Sequence, residues 1–589
     1  MSGRRALLQL SWIGLAALVA AALPALAANT AKSTTPAKPG FGPNVLVFDP
    51  SMPSQAIQKQ IDAVYATLQH DEFSSQRKAL LFLPGSYAVD VPVGFYTEVI
   101  GLGASPDATR IAGNMHADAN HEHNNATTTF WRAAEGISIA PTGGTMQWAV
   151  SQAVSLRRMH VRGDVVLHQH NGWASGGWMS DSLVDGNVGS GSQQQWISRN
   201  CDWKSWTGSN WNMVFVGVVH PPDGAWPLPP YTTVAKTPVV REKPFLQVNA
   251  AGEFSVRVPE LRHDAVGITW GGREMHSGET PGETIPITRF YIARPDVDTA
   301  ETINAQLVQG KNLILTPGIY ELTAPIRVER PHTVVLGLGF ATLRPTKGTA
   351  ALTTADADGI DIAGLLFDAG TTESPVLLEV GPEGSRAHHA NDPITLHDVF
   401  FRVGGAGVGR TKVNLKINSN DTLVDHTWIW RADHGDGVGW DLNISENGLV
   451  VNGNQVTIYG LFVEHHQKFQ VLWNGNGGRT YFYQSEIPYD PPNQPSYTSA
   501  SGVNGWASYK VADGVTSHEA WGLGVYSVFT YPNVVLTRAI ETPKSEQVRF
   551  HDIITVALGT LGEISHVIND AGGATSIHPR VTPKVTDFP

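Results

Sequence analysis

Glu464 and Glu486 stand 22 residues apart, close to one short rung of a β-structure, in a stretch from Leu461 to Pro492 dense in polar and aromatic side chains. Two carboxyl groups projecting from neighbouring strands into one groove would supply what glycosidic hydrolysis needs: an acid for the leaving oxygen, and a base or its equivalent for water. Glu486 lies among Tyr483, Ile487 and Pro488. Apolar surroundings raise a carboxyl pKa and keep the proton on an acid. The competing reading is a solvated or ion-paired glutamate at a strand end. A second cluster runs from Asp425 to Trp440 and holds Trp428, Trp430, Arg431 and Asp433. Trp428 and Trp430 share one face of a strand, as an aromatic platform or as plain core. Trp430, Asp433 and Trp440 are candidate sugar contacts, and so are Trp473, Gln484 and Tyr489 further along.

Other chemistries find less support. Cys201 is the single cysteine and has no neighbouring His in sequence, so a buried structural thiol is expected. His116, His121 and His123 sit with Asp118 and Glu122 in a loop-like run. His388-His389 and His465-His466 are adjacent pairs, and neighbours on a strand point to opposite faces. No His-Glu-x-x-His or paired-Cys pattern occurs, so neither metal nor cofactor is expected. Gly101-Leu102-Gly103 and Gly337-Leu338-Gly339 lack the rest of a nucleotide-binding fingerprint and read as turns.

The elements that would position these residues announce themselves as repeats. Leu81 to Tyr87 carries Leu-Pro-Gly-Ser-Tyr and is followed by Gly101-Leu102-Gly103; Leu313 to Tyr320 carries Pro-Gly-Ile-Tyr and is followed by Gly337-Leu338-Gly339. Each copy follows a helical pattern: Ile57, Ile61, Val64 and Leu68 after Ser54 as N-cap, then Ile303 and Leu307 after Asp298 and Thr299. A finer repeat aligns strands ending at Asp368, Arg402, Arg431 and Glu464, spaced by 34, 29 and 33 residues. Short apolar strands parted by Gly, Asn and Asp turns at irregular intervals read as rungs of a parallel β-helix. The expected fold is all-β: two tandem right-handed parallel β-helices with short capping helices. A proline-rich linker, running extended, would join them at 221–288. The first β-helix would span 44–220 and the second 289–589. A propeller is disfavoured, because its blades would repeat at about 40–45 residues.

Arg4 and Arg5, an apolar run to Leu23 and Ala25-Leu26-Ala27 predict a secretory signal over 1–27, with a loose twin-arginine pattern. Residues 28–43 read as a flexible leader. The product would be extracellular or periplasmic. With 41 basic and 53 acidic residues the net charge is −12, which disfavours nucleic acid and anionic membranes as partners. No later stretch has the ~18 apolar residues of a membrane span. Seventeen Trp with only 16% charged residues suit stacking on the apolar faces of a neutral polysaccharide, and a monomer is expected.

Glu464-His465 and Gln484-Ser485-Glu486-Ile487-Pro488-Tyr489 resemble motifs of glycoside hydrolase family 55, exo-acting β-1,3-glucanases with two tandem β-helices and a cleft between them. The resemblance implies Glu486 as general acid of an inverting reaction. It implies that Glu464 holds the water together with a polar pair from the first β-helix, for which Gln169 and Ser198 are the candidates. Inversion needs ~6.5–9.5 Å between the carboxyls, whereas matched positions on adjacent rungs lie ~5 Å apart, so a lateral offset is expected. Two other functions fit the scaffold: a different polysaccharide enzyme, either a lyase or a hydrolase of another glycan, and a non-enzymatic glycan-binding or attachment protein. A lyase would need a basic groove or Ca²⁺ for uronates, which the acidic balance disfavours, and a non-catalytic glycan-binding β-helix needs no acid at all.

Overall fold

The structure, a computed structural model, describes residues 39–271, 278–499 and 501–589. The expected signal peptide and most of the expected leader lie outside them. The chain forms two stacks of parallel strands. One runs from Val45–Phe48 through Lys78–Phe82, Thr97–Gly101, Arg132–Glu135, Val154–Arg157, Trp178–Ser180, Gln195–Arg199 and Asn212–Val216 to Tyr231–Val234. The other runs from Phe290–Ala293 to Val548–Ala557 and ends on an antiparallel strand, Lys584–Phe588. Each stack has a second parallel sheet behind it, the more regular being Ile326–Val328 to Glu563–Ile568. The fold is therefore a pair of parallel β-helices. Each has its own apolar core. Among the described residues no helix is long and apolar enough to cross a membrane.

The duplicated Pro-Gly-x-Tyr motif has one physical meaning in both halves. Tyr87 donates its hydroxyl proton to the Phe48 and Leu83 carbonyls at 3.0 and 2.7 Å. Tyr320 does the same to Ala293 and Thr316 at 2.8 and 3.1 Å. Gly85 and Gly318 sit at φ 150° and 153°, pressed so closely on Pro50 and Pro295 that no Cβ would fit. Both predicted helices form, Ser54–Leu68 and Ala300–Val308. Ser54 is the first helical residue rather than the cap, whereas Thr299 caps the second helix in a reciprocal box with Thr302.

The finer repeat is real but slips by one residue at its third copy. Arg402 pairs with Trp430, not Arg431, and Trp430 pairs with Glu464. Asp368, Arg402, Trp430, Glu464, Glu486 and Tyr526 thus form one column across six rungs. Four residues before each lies a residue with left-handed backbone: Gly364, Asp398, His426, Gly460, Phe482 and Gly522, at φ between 49° and 75°. This stacked bulge resets the in–out alternation on every rung. The residue after it points into the core (Leu365, Val399, Leu461, Leu523), while the second and fourth face outward. At Gly460 the outward side is so crowded that an added Cβ would come within 2.6 Å of the Trp178 ring of the first β-helix.

Those outward faces are the seam between the two β-helices. Phe130, Trp131, Trp178 and Ile197 of the first pack with Phe400, Trp428, Trp430, Tyr459 and Phe462 of the second. Charge is buried beside them. Arg157 reaches Asp398 and Asp425 at 2.7 and 2.8 Å, and Arg199 joins Asp425 to Glu242 at 2.8 and 2.6 Å. Despite the cost of burial, the guanidinium of Arg157 holds Asp398, and those of Arg199 and Arg157 hold Asp425, far below the usual carboxylate range. Cys201 is a free, buried thiol in the first core, and burial pushes its pKa up.

The proline-rich segment differs from the expected extended linker. Tyr231–Val234 is still a rung of the first stack. Beyond it, Thr237–Val240 pairs with Arg262–Ala265, and Phe245–Val248, Phe254–Pro259 and Gly282–Pro286 form an antiparallel sheet. The prolines cluster early. The later part alternates apolar residues, and Leu246, Phe254 and Val256 cover the seam at Leu81, Leu102 and Leu336.

Asp425→Asn should destabilise the protein by about 3–5 kcal/mol, because two arginines are left underpaired in the seam; chemical denaturation at pH 7 measures this. The depressed carboxylates stabilise the fold above the unfolded Asp value of about 3.9. That stabilisation is lost as pH falls through their folded values, so wild-type thermal midpoints should drop below about pH 4 and the Asp425→Asn variant should lose less over that range.

Candidate active site

The column of outward residues passes a cavity of about 240 Å³ on the seam, which Trp430, Glu464 and Glu486 line. The second β-helix supplies Trp430, Asp433, His434, Glu464, His465, Glu486, Tyr489 and Leu558, and the first supplies Thr127, Thr128, Phe130, Gln152, Ser175 and Gln194. It is smaller than the roughly 300–1,000 Å³ of drug-sized sites, a size for one sugar ring rather than a length of polymer. Trp430 stacks on Trp428 at 4.8 Å, with Phe130 at 5.7 Å, so its ring forms a fixed aromatic wall.

Glu486 and Glu464 are direct partners on adjacent strands, with no shift of register between them. Their surroundings differ. Glu486 keeps one edge open to the cavity and accepts a hydrogen bond from the Tyr489 hydroxyl. Burial, then the charges of Glu464 and Asp433, push its pKa well above the ordinary carboxyl value, in the direction that favours the protonated acid. Glu464 is 3% exposed. Its Oε1 accepts from Gln152 at 2.8 Å and Gln484 at 2.7 Å, and its Oε2 accepts from Trp428 at 2.9 Å. Burial raises Glu464 to about 7, against three donors that favour its charged form. Gln152 has its carbonyl oxygen turned to Ser175, whose hydroxyl donates to it at 3.2 Å. Glu464 therefore orients Gln152, and Gln152 with Ser175 faces the cavity from the β-helix opposite Glu486.

Several sequence-predicted contacts lie elsewhere. Ser198 is fully buried in the first β-helix and accepts from the Trp196 indole at 3.2 Å. Gln169 ties loops together, accepting from the Ala119 amide at 2.8 Å and donating to Asn124 at 3.1 Å. Trp473 belongs to the second core, stacked on Tyr509 at 6.2 Å, because its strand lies in the rear sheet. Trp440 lies outside the cavity under Arg431, which is paired with Asp490. Gln484 is fully buried and serves Glu464 rather than the cavity. Trp430, Asp433 and Tyr489 do line it. Gln152, Ser175, Gln194 and His434 were missed. Gln152 and Ser175 stand one rung of 23 residues apart, the spacing of the paired Ser155 and Trp178, which the structure reveals. His465 meets Tyr489 edge-on at 4.4 Å, and burial lowers its pKa.

A sequence profile of the LAM55 pectate lyase-like domain matches residues 290–486. An exo-beta-1,3-glucanase of Streptomyces sp. (strain SirexAA-E / ActE) is 45% identical over 590 residues, covering 98% of this chain and 96% of its own. The solved structure of sacteLam55A from Streptomyces sp. SirexAA-E superposes with a TM-score of 0.90 at 46% identity, covering 93% of this chain and 99% of that one. A variant of the same enzyme in complex with glucose superposes equally well. Identity of this extent over nearly the whole chain, on a paired β-helix with two buried glutamates at the seam, means that the chain belongs to glycoside hydrolase family 55.

Proposed function

We propose that this protein is a secreted exo-acting β-1,3-glucanase that releases one glucosyl unit at a time with inversion. The observation that carries the reading is the arrangement across the seam. A carboxyl whose pKa is pushed up toward the protonated form, Glu486 on one β-helix, shares a one-sugar cavity with a polar pair on the other, Gln152 and Ser175. In this reading the terminal ring meets the edge of Trp430, whose faces are taken by Trp428 and Phe73, and Asp433 accepts from its hydroxyls. Glu486 donates its proton to the glycosidic oxygen as the anomeric bond breaks. Water held between the Ser175 hydroxyl and the Gln152 carbonyl adds to the opposite face of the anomeric carbon. The proton this water releases goes to Glu464 by way of Gln152, whose carbonyl oxygen takes it up as its amide nitrogen gives one to the Glu464 Oε1, so that Glu464 ends protonated and Glu486 ionised. The names of the relatives support the substrate. The Arg4-Arg5 start, the apolar run and Ala25-Leu26-Ala27 support export, with residues 1–27 removed.

Glu486→Gln keeps the shape of the acid but has no proton to give. Its kcat on laminarin should fall at least about a hundredfold with KM little changed. A β-glucosyl fluoride, whose leaving group needs no acid, should recover much of the loss in Glu486→Gln and none of it in Glu464→Gln. Near-full activity of Glu486→Gln on laminarin would remove it from the acid role.

The pH profile tests the coupling between the two glutamates. The alkaline limb of kcat/KM should mark deprotonation of Glu486, and activity should fall as pH rises through it. The Glu464 charge helps raise that pKa. Glu464→Gln removes the charge, so the limb of its residual laminarin hydrolysis should move to lower pH. A limb that stays in place would show that Glu464 does not set the acidity of Glu486.

A further inference from the structure

Beside the cavity runs a chain of contacts that the proposed reaction does not use. His434 lines the cavity with Asp433, and both of its ring nitrogens face carboxylates. Nδ1 is 2.9 Å from the Asp433 Oδ1, and Nε2 is 2.7 Å from the Oε1 of Glu72. Glu72 is not a cavity residue. It follows the helix Ser54–Leu68 at the start of the first β-helix, while His434 belongs to the second. Its backbone is anchored: the Glu72 carbonyl accepts from the buried Tyr96 hydroxyl at 2.6 Å, and that hydroxyl accepts from Arg402 at 2.6 Å. The next residue, Phe73, stacks on Trp430 at 6.2 Å and meets His434 edge-on at 5.7 Å. Gly405 and Gly435 leave room for that ring, since an added Cβ on either would come within 2.6 Å of it. The Glu72–Phe73 pair is thus fitted against the wall that carries Trp430 and Asp433.

We propose that Glu72 is a positioning residue for sugar recognition: by fixing His434 between two carboxylates, it holds Asp433 as an oriented acceptor for the hydroxyls of the terminal glucosyl ring. An imidazole with a carboxylate at each nitrogen must donate from both, so it is the imidazolium that fits the site. Burial works against that charge, but the hydrogen bonds and charges of Asp433 and Glu72 outweigh it and raise His434 to about 10. Asp433 is correspondingly lowered to about 2, with His465 adding a second, weaker contact at 3.9 Å. Glu72 and His465 face this bridge directly, and Glu464 and Glu486 face it across the cavity through the charge of Asp433. A carboxylate with one oxygen fastened to a fixed cation keeps its rotamer, so the sugar meets an acceptor already in place. The bridge crosses the seam, so binding of the sugar is coupled to the packing of the two β-helices.

The inference rests on the reading of the cavity as a glucosyl site, and the test separates the two. Wild-type protein should bind glucose by calorimetry and release it from laminarin; if it does neither, the functional reading falls. Given that, Glu72→Gln should weaken glucose binding and raise KM about tenfold, as expected for a hydrogen bond to a charged group, with kcat and thermal midpoint nearly unchanged. The ratio of variant to wild-type affinity should worsen from about pH 6 to about pH 9, because His434 with a single carboxylate loses its proton in that range. In a His434→Asn background, Glu72→Gln should add nothing. A loss that is flat with pH, one that accompanies a lower thermal midpoint, or additive losses in the double variant would reduce Glu72 to a structural contact and overturn the proposal. Histidine NMR of the wild type, with His434 assigned by its absence from His434→Asn, decides the matter if Glu72→Gln does not fold. A ring that stays protonated past about pH 8 supports the bridge, and one that titrates near the ordinary 6.5 overturns it.

Discussion

A hydrogen bond of 2.8 Å from Gln152 to Glu464 joins one β-helix to the other at the floor of the cavity, and the site depends on it. Glu464 accepts from Gln484 and Trp428 of its own β-helix, and Gln152 adds a donor from the other. The strand of Glu464 places it directly beside Glu486 on the next rung. Gln152 and Ser175 have no carboxyl of their own among the cavity's first-helix residues. A bond of this length tolerates only a few tenths of an ångström of slip. The aromatic packing of Trp178, Trp428 and Phe462 and the buried Arg157–Asp398–Asp425–Arg199 seam set that tolerance. Buried charge is an expensive way to stabilise an interface, but its directional bonds fix register in a way that apolar packing alone does not.

The stacked bulge provides the other half of the geometry. On an unbroken strand, residues facing the core and residues facing the seam alternate strictly. The left-handed residue on each rung resets that alternation, so that Trp430, Glu464 and Glu486 face outward four residues later while Ile429, Val463 and Ser485 face in. Two positions in the column of bulges, Asp398 and His426, carry side chains that bond to each other at 2.7 Å within the seam. The strained backbone and the buried charges therefore reinforce one another. Burial by the same seam shifts both glutamates: the pKa of Glu486 is pushed up further by its neighbours' charges, while Glu464 is the acceptor of three donors.

Much of this was legible in the chain. Pro-Gly-x-Tyr appears twice because each tyrosine ties back to two carbonyls of its own first rungs. Short apolar strands at uneven spacing pointed to a solenoid, and Glu464 and Glu486 stood one rung apart. What misled was register. Trp-Ile-Trp-Arg was aligned one residue out because its tryptophans face the seam while the aligned residues Phe401 and Val463 face the core. The same blindness affected Trp473, whose sheet placement no local pattern reveals, and the first β-helix, where Gln169 and Ser198 looked as polar as Gln152 and Ser175. A polar residue becomes a site residue only by facing the other solenoid, and contacts between residues about 300 positions apart leave no local trace.

The central claim is that water reaches the sugar from the first β-helix while the acid acts from the second. Fresh hydrolysis of a β-1,3-glucan followed by proton NMR tests this directly, because the anomeric configuration of the first glucose released records the face from which water came. The account predicts that α-glucose appears first and that the β-anomer grows in only by mutarotation. If β-glucose appears first, the configuration is retained, Gln152 and Ser175 do not deliver the water that attacks the substrate, and the assignment of roles across the seam is wrong.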